Sequence, residues 1–338
     1  RAPDAGREAH PRDPPPPRSR PGCGPRGSPG SRPNSGPAPA TPDPGGSVVT
    51  ASPTVTAFGR QFQNPILLAA GTAGFGREVA GVIAIGRLGG LVTKAVSPEP
   101  RTGNRAPRVA EFPAGMLNSV GLANPGLARV RERELPWLAA HLGPVRLLVN
   151  VVGFTAEDFA AVVAGLQAFD CITAFELNLS CPNTSAGGLE FGADPHSLAR
   201  VIELAARETR RPLVAKLSPA LPDIAAMAAV ARDSGAAGVT VVNTLPGYLA
   251  DAQGRPRLGN GAGGVSGPAL LPVGVQAVRR IRERAPELTI IGVGGVRSAA
   301  DARQYLRAGA TLVGIGTAAL ADPRLPERVV AELGAEGG

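Results

Sequence analysis

The chain has 338 residues, enough for two average domains or for one large α/β barrel with extensions. Hydrophobic residues make up 43% of it and aromatic residues only 4%, which provides a core but argues against a nucleic-acid binder built on base stacking. The net charge of +8 is a mild excess for this length and is compatible with an enzyme that attracts anions.

Residues 1–52 differ in composition from the rest of the chain. They hold 14 of the 35 prolines and lack the apolar periodicity that a packed core requires. They also lack the apolar stretch that is typical of a secretory signal. We therefore predict a disordered extension over residues 1–52 and a single domain over residues 53–338.

From about residue 54, short apolar runs alternate with stretches of helical pattern. Near-continuous apolar strands are typical of a parallel sheet that is covered on its outer face. Eight strand–helix units in about 280 residues favour a (β/α)8 TIM barrel over an open doubly wound sheet. The predicted strands are Ile66–Ala70, Gly90–Lys94, Arg146–Val152, Ala174–Ser180, Pro212–Leu217, Gly238–Asn243, Thr289–Val293 and Leu312–Gly316.

Seven helices are predicted between these strands and after the last one. Thr155 and Ser298, each three residues before an aspartate, are typical of helix N-caps. The stretch from Ala95 to about Pro125 is predicted to be a long loop, and loops of this length in a barrel are more often functional than not. The predicted helices are Arg77–Leu88, Ala156–Ala168, Pro195–Thr209, Pro222–Ser234, Ala269–Arg284, Ser298–Ala308 and Leu325–Leu333.

Polar side chains concentrate where the predicted strands end. Lys94 ends the second strand, Asn150 the third, Lys216 the fifth, and Asn243–Thr244 the sixth, while Asn178 lies near the end of the fourth. The carboxyl ends of the strands carry the active site in barrels of this kind. We therefore expect an active site at this rim.

Lys94 and Lys216 are the only lysines among 35 basic residues, so a chemical reason is expected at both positions. Alternation along the fifth strand directs Lys216 into the barrel together with Val214. An unpaired ammonium is costly there, and Glu176 has the inward parity on the neighbouring strand. Two interpretations stay open: a structural Glu176–Lys216 ion pair, and an ammonium that faces a ligand gaining negative charge, such as a reduced flavin.

Cys181 follows the fourth strand directly, and Pro182 ends that strand. A thiol at the catalytic rim can act as a nucleophile or a base if its pKa falls below about 8.5. Cys171 lies at the other end of the same strand, too far away for a disulfide, and is expected to pack in the core. Three cysteines exclude a disulfide scaffold, and no apolar run reaches the length of a membrane span, so we predict a cytoplasmic protein.

Two glycine clusters follow the seventh and eighth strands, one at Gly294–Gly295 and one at Gly316 before Thr317. Glycines at these positions let backbone N–H groups approach a phosphate. Turn formation alone is the alternative, and neither cluster matches a dinucleotide fingerprint. The two clusters together favour a phosphorylated cofactor. No metal cluster is expected, because the three histidines are isolated.

The long loop after the second strand holds two asparagines that point to substrate recognition. The side-chain amides of Asn118 and Asn124, with Gly121 between them, could donate hydrogen bonds to the carbonyls of a planar substrate. Turn formation is the alternative for each asparagine.

Taken together, these motifs resemble the dihydroorotate dehydrogenases, FMN-dependent barrel enzymes of pyrimidine synthesis, over about residues 54–335. Cysteine at position 181 is typical of the class 1 enzymes. The stretch from Pro100 to Asn118 and the pair Asn243–Thr244 are most similar to class 1B. That class pairs the FMN subunit with a subunit that carries FAD and an iron–sulfur cluster and passes electrons to NAD⁺. Thr72 and Tyr248 depart from the family's usual residues. The motifs that carry the resemblance are Thr93–Lys94, Asn118–Leu122, Asn178–Asn183, Lys216–Pro219, Asn243–Gly247, Gly264–Gly267, Gly292–Gly295 and Gly316–Thr317.

The resemblance implies oxidation of (S)-dihydroorotate to orotate. Cys181 would remove a proton from C5 while a hydride leaves C6 for N5 of FMN, and Lys216 would stabilise the anionic reduced flavin. The implied substrate-binding residues are Lys94, Asn118, Ser119, Val120, Gly121, Leu122, Asn178, Asn183, Asn243 and Thr244. The implied FMN-binding residues are Ala70, Gly71, Thr72, Lys94, Ala95, Asn150, Asn178, Lys216, Val242, Gly267, Gly294, Gly295, Gly316 and Thr317.

The resemblance further implies a homodimer or a heterotetramer with the electron-transfer subunit, and neither nucleic-acid nor membrane partners. A fumarate-dependent class 1A enzyme is an alternative. A tRNA-dihydrouridine synthase is another, because it shares an Asn-x-x-Cys-Pro-like element, but about 20 residues after the last strand leave no room for its helical RNA-binding domain. A non-catalytic scaffold would be expected to have lost the rim residues, which are intact here.

Overall fold

The computed structural model describes residues 54–180 and 190–335. The extension predicted over residues 1–52 lies outside this part of the chain, as do Cys181 and Asn183. Within it, the strands in chain order are β1 (Val55–Ala57), β2 (Arg60–Phe62), β3 (Ile66–Leu68), β4 (Gly90–Val92), β5 (Val109–Phe112), β6 (Gly115–Asn118), β7 (Arg146–Val151), β8 (Ile172–Asn178), β9 (Leu213–Leu217), β10 (Gly238–Val241), β11 (Leu245–Tyr248), β12 (Ala262–Ser266), β13 (Thr289–Val293) and β14 (Leu312–Ile315).

Eight of these strands pair in parallel and close into a barrel, in the order β3, β4, β7, β8, β9, β10, β13 and β14 around the ring. They correspond to the eight predicted strands, with boundaries that differ by at most two residues, so the predicted (β/α)8 barrel is confirmed. Apolar side chains of one parity fill its interior, among them Leu67, Val92, Leu148, Val214 and Leu312.

Helices cover the outside of the barrel. Leu213, Ala215 and Leu217 of β9 pack in this outer core, whereas Val214 lies in the interior, as the alternation predicts. The helices of the described residues are α1 (Gly126–Arg129), α2 (Leu135–His141), α3 (Ala156–Leu166), α4 (Pro195–Glu208), α5 (Ile224–Asp233), α6 (Leu271–Arg284), α7 (Ala299–Arg307), α8 (Thr317–Ala321) and α9 (Leu325–Ala335).

Both predicted N-caps are confirmed. The Thr155 side chain accepts a hydrogen bond from the N–H of Asp158, whose carboxylate accepts one from the Thr155 N–H in return. The Ser298 hydroxyl likewise accepts from the N–H of Asp301. Each cap contributes about 1 kcal/mol and fixes where α3 and α7 begin, just beyond the carboxyl ends of β7 and β13.

The helix predicted over residues 77–88 is wrong. These residues form turns and one short 3-10 helix, Ile85–Arg87, and Gly81 adopts the left-handed conformation (φ +89°), which interrupts a right-handed helix. In contrast, the sequence predicts no helix after Pro125, although α1 and α2 lie there, joined by the π-helical turn Val130–Glu134. This joined helix follows the second strand of the barrel.

The predicted loop after β4 contains regular structure. Its strands β5 and β6 pair with each other, and β6 also pairs with β12 from the loop after β10, so that β11, β12, β6 and β5 form a four-stranded antiparallel sheet. Both loops leave the barrel at the carboxyl ends of their strands. The sheet therefore lies at the end of the barrel that carries the predicted active site.

A hairpin of β1 and β2 closes the opposite end of the barrel. Ala57 and Phe62 are buried against the interior residues, and Phe58 lies beside the start of β10 at Gly238. In the part of the chain that the structure describes, no helix has the length and apolar character of a membrane span.

Candidate active site

A buried polar network joins four neighbouring strands at the carboxyl end of the barrel. Glu176 of β8 is 1% exposed. Its carboxylate accepts hydrogen bonds from the Asn150 side chain of β7 (2.7 Å) and from the Thr240 hydroxyl of β10 (2.6 Å). The ammonium of Lys216 on β9 lies 3.8 Å from the same carboxylate. The charge of Glu176 is thus compensated from three sides, as burial of a carboxylate requires.

The predicted Glu176–Lys216 ion pair is present, but it leaves the ammonium with unused hydrogen-bonding capacity. A separation of 3.8 Å exceeds hydrogen-bond length. This ammonium forms no hydrogen bond with residues 54–180 or 190–335. Lys216 is itself only 7% exposed, so its N–H groups suit a ligand that lies on the rim and carries electron density.

Asn178 and Asn243 continue this network toward the rim. Asn178 is the direct partner of Lys216 in the pairing of β8 with β9. Its side-chain oxygen accepts a hydrogen bond from the amide of Asn243 (3.2 Å), and the Asn243 side chain in turn accepts from the N–H of Thr244 (2.9 Å). Four of the predicted site residues are therefore adjacent.

Strand β12 brings the long loop to the same place. Asn118 at the end of β6 donates a hydrogen bond to the carbonyl of Gly264 (3.1 Å). Thr244 lies against the same glycine, since a Cβ on Gly264 would overlap the Thr244 hydroxyl. Asn118 and Thr244, which are far apart in the sequence, thus share one contact residue that was not among the predicted site residues.

The predicted substrate segment from Ser119 to Leu122 is held by Asn104. The Asn104 side chain donates to the Ser119 hydroxyl (2.8 Å), and its backbone N–H donates to the carbonyl of Val120 (3.1 Å). Gly121 packs directly against Asn104. This segment therefore has a fixed position beside Asn118.

Asn124 does not have the predicted role in recognition. It is buried, and its amide donates to the Ser97 hydroxyl and to the carbonyl of Leu122 (both 2.8 Å). Its oxygen accepts from the N–H of Gly126. Asn124 therefore stabilises the turn that leads into α1, which is the alternative open at the sequence level.

Lys94 lies at the end of β4, next to the buried Ala95. Its N–H donates to Gly74, and the Thr93 hydroxyl donates to its carbonyl (2.8 Å) and accepts from the N–H of Asn150 (3.1 Å). The backbone of this lysine is thus fixed, whereas its half-buried ammonium has no hydrogen bond or ion pair with a described residue. An anionic ligand would compensate it.

The first glycine cluster forms a tight turn after β13. Gly294 and Gly295 both have positive φ (+123° and +75°), and a Cβ on Gly295 would lie 2.5 Å from the backbone nitrogen of Leu271. The hydroxyl of Tyr305 donates to the carbonyl of Gly294 (2.8 Å), and burial raises the pKa of Tyr305, so that the hydroxyl stays a donor. Tyr305 therefore holds this turn, a role that the sequence pattern does not show.

The second cluster lies beside the first and faces open space. A Cβ on Gly316 would have only Ala69 and Thr72 nearby, both at 3.7 Å. A Cβ on Gly71 would have no atom within 4 Å. Thr317 donates to the Ser266 hydroxyl (2.8 Å), which links this turn to Gly267 at the end of β12. The predicted cofactor residues that converge here are Ala70, Gly71, Thr72, Val242, Gly267, Gly294, Gly295, Gly316 and Thr317.

Two polar groups flank the segment that contains Cys181. The hydroxyl of Ser180 is buried and has no partner among the described residues, so it is available to a neighbouring group. Burial raises the pKa of the Glu190 carboxyl, and a hydrogen bond from Ser218 at the end of β9 partly offsets this effect. Neither Ser180 nor Glu190 was among the predicted site residues.

Comparison with known proteins assigns the family. The family model described as dihydroorotate dehydrogenase matches residues 53–336, a range that includes every described residue. The chain belongs to the dihydroorotate dehydrogenase family. The resemblance stated from the rim motifs is thereby confirmed, and with it the prediction of an oxidoreductase.

Several curated relatives match this chain over most of their own length. The catalytic subunit of dihydroorotate dehydrogenase B (NAD(+)) from Geobacillus kaustophilus is 42% identical over 276 residues, which is 81% of this chain and 87% of the relative. The protein of the same name from Desulforudis audaxviator is 42% identical over 280 residues, 82% of this chain and 90% of the relative. The protein of the same name from Citrifermentans bemidjiense is 38% identical over 281 residues, which is 83% of this chain and 91% of the relative.

Proposed function

We propose that this chain oxidises (S)-dihydroorotate to orotate in pyrimidine biosynthesis. The observation that carries the proposal is the buried network of Asn150, Glu176, Thr240 and Lys216, which presents an ammonium with free N–H groups beside Asn178 at the catalytic end of the barrel. Membership of the dihydroorotate dehydrogenase family supports the choice of substrate.

The residues at the carboxyl ends of β3, β13 and β14 fit the phosphate end of FMN. Gly71 and Gly316 leave open space where side chains would stand, and Gly294 is held by Tyr305. Backbone N–H groups next to glycines can approach a phosphate closely. When bound, FMN would accept the two electrons and the C6 hydrogen that dihydroorotate loses.

Lys216 is suited to stabilise charge on that cofactor. A fixed ammonium in a site that excludes water stabilises developing negative charge more strongly than it does in water. Asn150 and Thr240 fix its carboxylate partner, Glu176, so that little reorganisation is needed when the charge develops.

The substrate would lie between Lys216 and the long loop. The ammonium of Lys94 would pair with the carboxylate of dihydroorotate, and the amides of Asn118, Asn178 and Asn243 would hold the ring carbonyls and N–H groups. Cys181 would take the proton from C5, because in the sequence it comes three residues after Asn178, the last residue of β8. Asn183 would add a further amide from the same segment.

The electron acceptor is proposed from the relatives. Their printed names describe a catalytic subunit of an NAD(+) enzyme, which supports a separate partner subunit. We further propose that this subunit carries FAD and an iron–sulfur cluster, that the complex is a heterotetramer, and that it lies in the cytoplasm. Purified chain, alone and with such a subunit, should be assayed with NAD⁺ and with fumarate. Activity with fumarate alone would favour the class 1A alternative, and absence of bound flavin after FMN reconstitution would contradict the whole proposal.

Replacing Tyr305 by Phe is expected to weaken FMN binding about 5- to 15-fold. The change removes the hydrogen bond that holds the carbonyl of Gly294, and such a bond contributes about 1–1.5 kcal/mol. Flavin fluorescence titration of the apoprotein measures the effect. Tyr248→Phe is the matched control, because Tyr248 is the only other tyrosine and is 54% exposed on β11. Equal FMN dissociation constants for Tyr305→Phe and wild type would contradict this role.

Replacing Gly264 by Ala is expected to raise the KM for dihydroorotate several-fold while FMN stays bound. The added methyl overlaps Thr244 and displaces it relative to Asn118, two residues assigned to substrate. Gly86→Ala serves as the control, because a Cβ there meets nothing within 4 Å. An unchanged KM in Gly264→Ala would remove the support for substrate binding at this strand.

A further inference from the structure

A large cavity lies at the opposite end of the barrel from the candidate active site. It has a volume of about 960 Å³ and is lined by Arg60 of the β1–β2 hairpin, by Thr173 at the start of β8, and by the segment from the end of α4 to Pro212 before β9. Thr173 and Asn178 lie on the same strand, five residues or about 17 Å apart. A ligand here would not contact Lys216.

Arginines dominate the lining of this cavity. Arg60, Arg207, Arg210 and Arg211 contribute to it, against a single acid, Glu208. We call it the arginine cavity. A smaller cavity of about 180 Å³ shares Arg60 and Thr173 with it and adds Arg146, so a fifth guanidinium lies near.

Three of these guanidinium groups are not used by the protein. Arg211 donates to the carbonyls of Gln167 (3.2 Å) and Ile172 (2.6 Å) and pairs with Asp170. The side chains of Arg60, Arg207 and Arg210, in contrast, make no hydrogen bond or ion pair with any residue that the structure describes. Several arginines elsewhere on the surface are matched with acids, as in the pairs Arg200–Glu157, Arg232–Glu287, Arg255–Asp251, Arg279–Glu283 and Arg328–Asp322.

Unpaired guanidinium groups that line one concave space repel one another, and an anion bound between them removes that repulsion. Phosphate is the anion that matches the planar fork of arginine, because it accepts two parallel hydrogen bonds. The volume lies within the range of small-molecule sites and is far larger than one phosphate needs. Gln167, Thr173 and Thr209 add neutral hydrogen-bonding groups to the lining.

We propose that the arginine cavity binds a small molecule that carries two or more phosphate groups. The site is separate from the one assigned to FMN and dihydroorotate, and it is in contact with β8 and with the residue before β9, the strands that carry Asn178 and Lys216 at their other ends. The proposal does not depend on the reaction catalysed at the rim.

The test is calorimetric titration of the full-length, FMN-loaded protein with pyrophosphate and with ATP, at constant ionic strength. Saturable binding of one equivalent is expected, with orthophosphate at least 10-fold weaker. Arg207→Gln/Arg210→Gln should weaken binding at least 10-fold without changing the circular dichroism spectrum. Arg279→Gln/Arg280→Gln on α6, which removes the same charge outside the cavity, should leave binding unchanged.

Three results would overturn the proposal. Absence of binding at millimolar pyrophosphate and ATP would show that the cavity is not a phosphate site. Equal weakening by both double variants would show that only net charge matters. Binding of a single-stranded oligonucleotide more tightly than ATP, lost in Arg207→Gln/Arg210→Gln, would assign the cavity to a nucleic-acid backbone instead.

Discussion

Replacing Cys181 by Ala is expected to slow the reduction of bound flavin by dihydroorotate about 10²- to 10⁴-fold, the contribution of a positioned general base. FMN and orotate binding should persist, because neither is assigned to the thiol. The rate in the wild type should rise with pH toward the apparent pKa of the thiol, since only the thiolate accepts the proton, and this dependence should vanish in the variant. Stopped-flow absorbance of the flavin measures both effects.

Cys171→Ala is the matched control for this prediction. Cys171 packs against the outer core, and burial raises the pKa of its thiol, which disfavours the thiolate that a base requires. Its replacement should lower stability slightly and leave flavin reduction unchanged. Cys181→Ser should also be slow, because a hydroxyl accepts a proton far less readily than a thiolate does. Wild-type rates in Cys181→Ala would refute the assignment, and an effect at Cys171 instead would transfer it there.

Replacing Lys216 by Met is expected to lower both the free energy of unfolding and the capacity to bind and reduce flavin. The variant leaves the buried Glu176 without its cation, and removal of one partner of a buried pair costs about 3–5 kcal/mol. Loss of folding alone could therefore abolish activity. Thermal denaturation and FMN titration together distinguish the two effects.

The double variant Lys216→Met/Glu176→Gln separates the structural role of Lys216 from its role toward the ligand. A glutamine carries no charge to compensate, and its side chain can still form hydrogen bonds with Asn150 and Thr240. We expect the double variant to regain most of the lost stability but not the flavin reduction. If it regains both, Lys216 serves only to compensate Glu176.

The strands and the inward position of Glu176 and Lys216 could be predicted from the sequence, because each depends on local pattern. A buried parallel strand is a run of apolar residues, and the alternation of side chains along it directs Val214 and Lys216 to the same side. Glu176 and Lys216 are polar residues of inward parity near the ends of adjacent strands, so their pairing follows from the barrel itself. The N-caps Thr155 and Ser298 are equally local.

The helix from α1 to α2 was missed because the local pattern is broken there. Pro136 has no N–H to donate and normally ends a helix, whereas the structure accommodates it after the π-helical turn Val130–Glu134. The opposite error over residues 77–88 arose because apolar spacing suggested a helix that the backbone of Gly81 interrupts.

The remaining features were decided by tertiary structure, because they join residues far apart in the chain. Asn118 and Thr244 meet at Gly264 only because β6 pairs with β12, and no local pattern specifies such a pairing. Tyr305 reaches Gly294 from the helix after β13. The arginine cavity likewise forms only when the β1–β2 hairpin folds against the segment between α4 and β9. Arg60 comes from the hairpin and the other three arginines from that segment, and neither part encloses the cavity by itself.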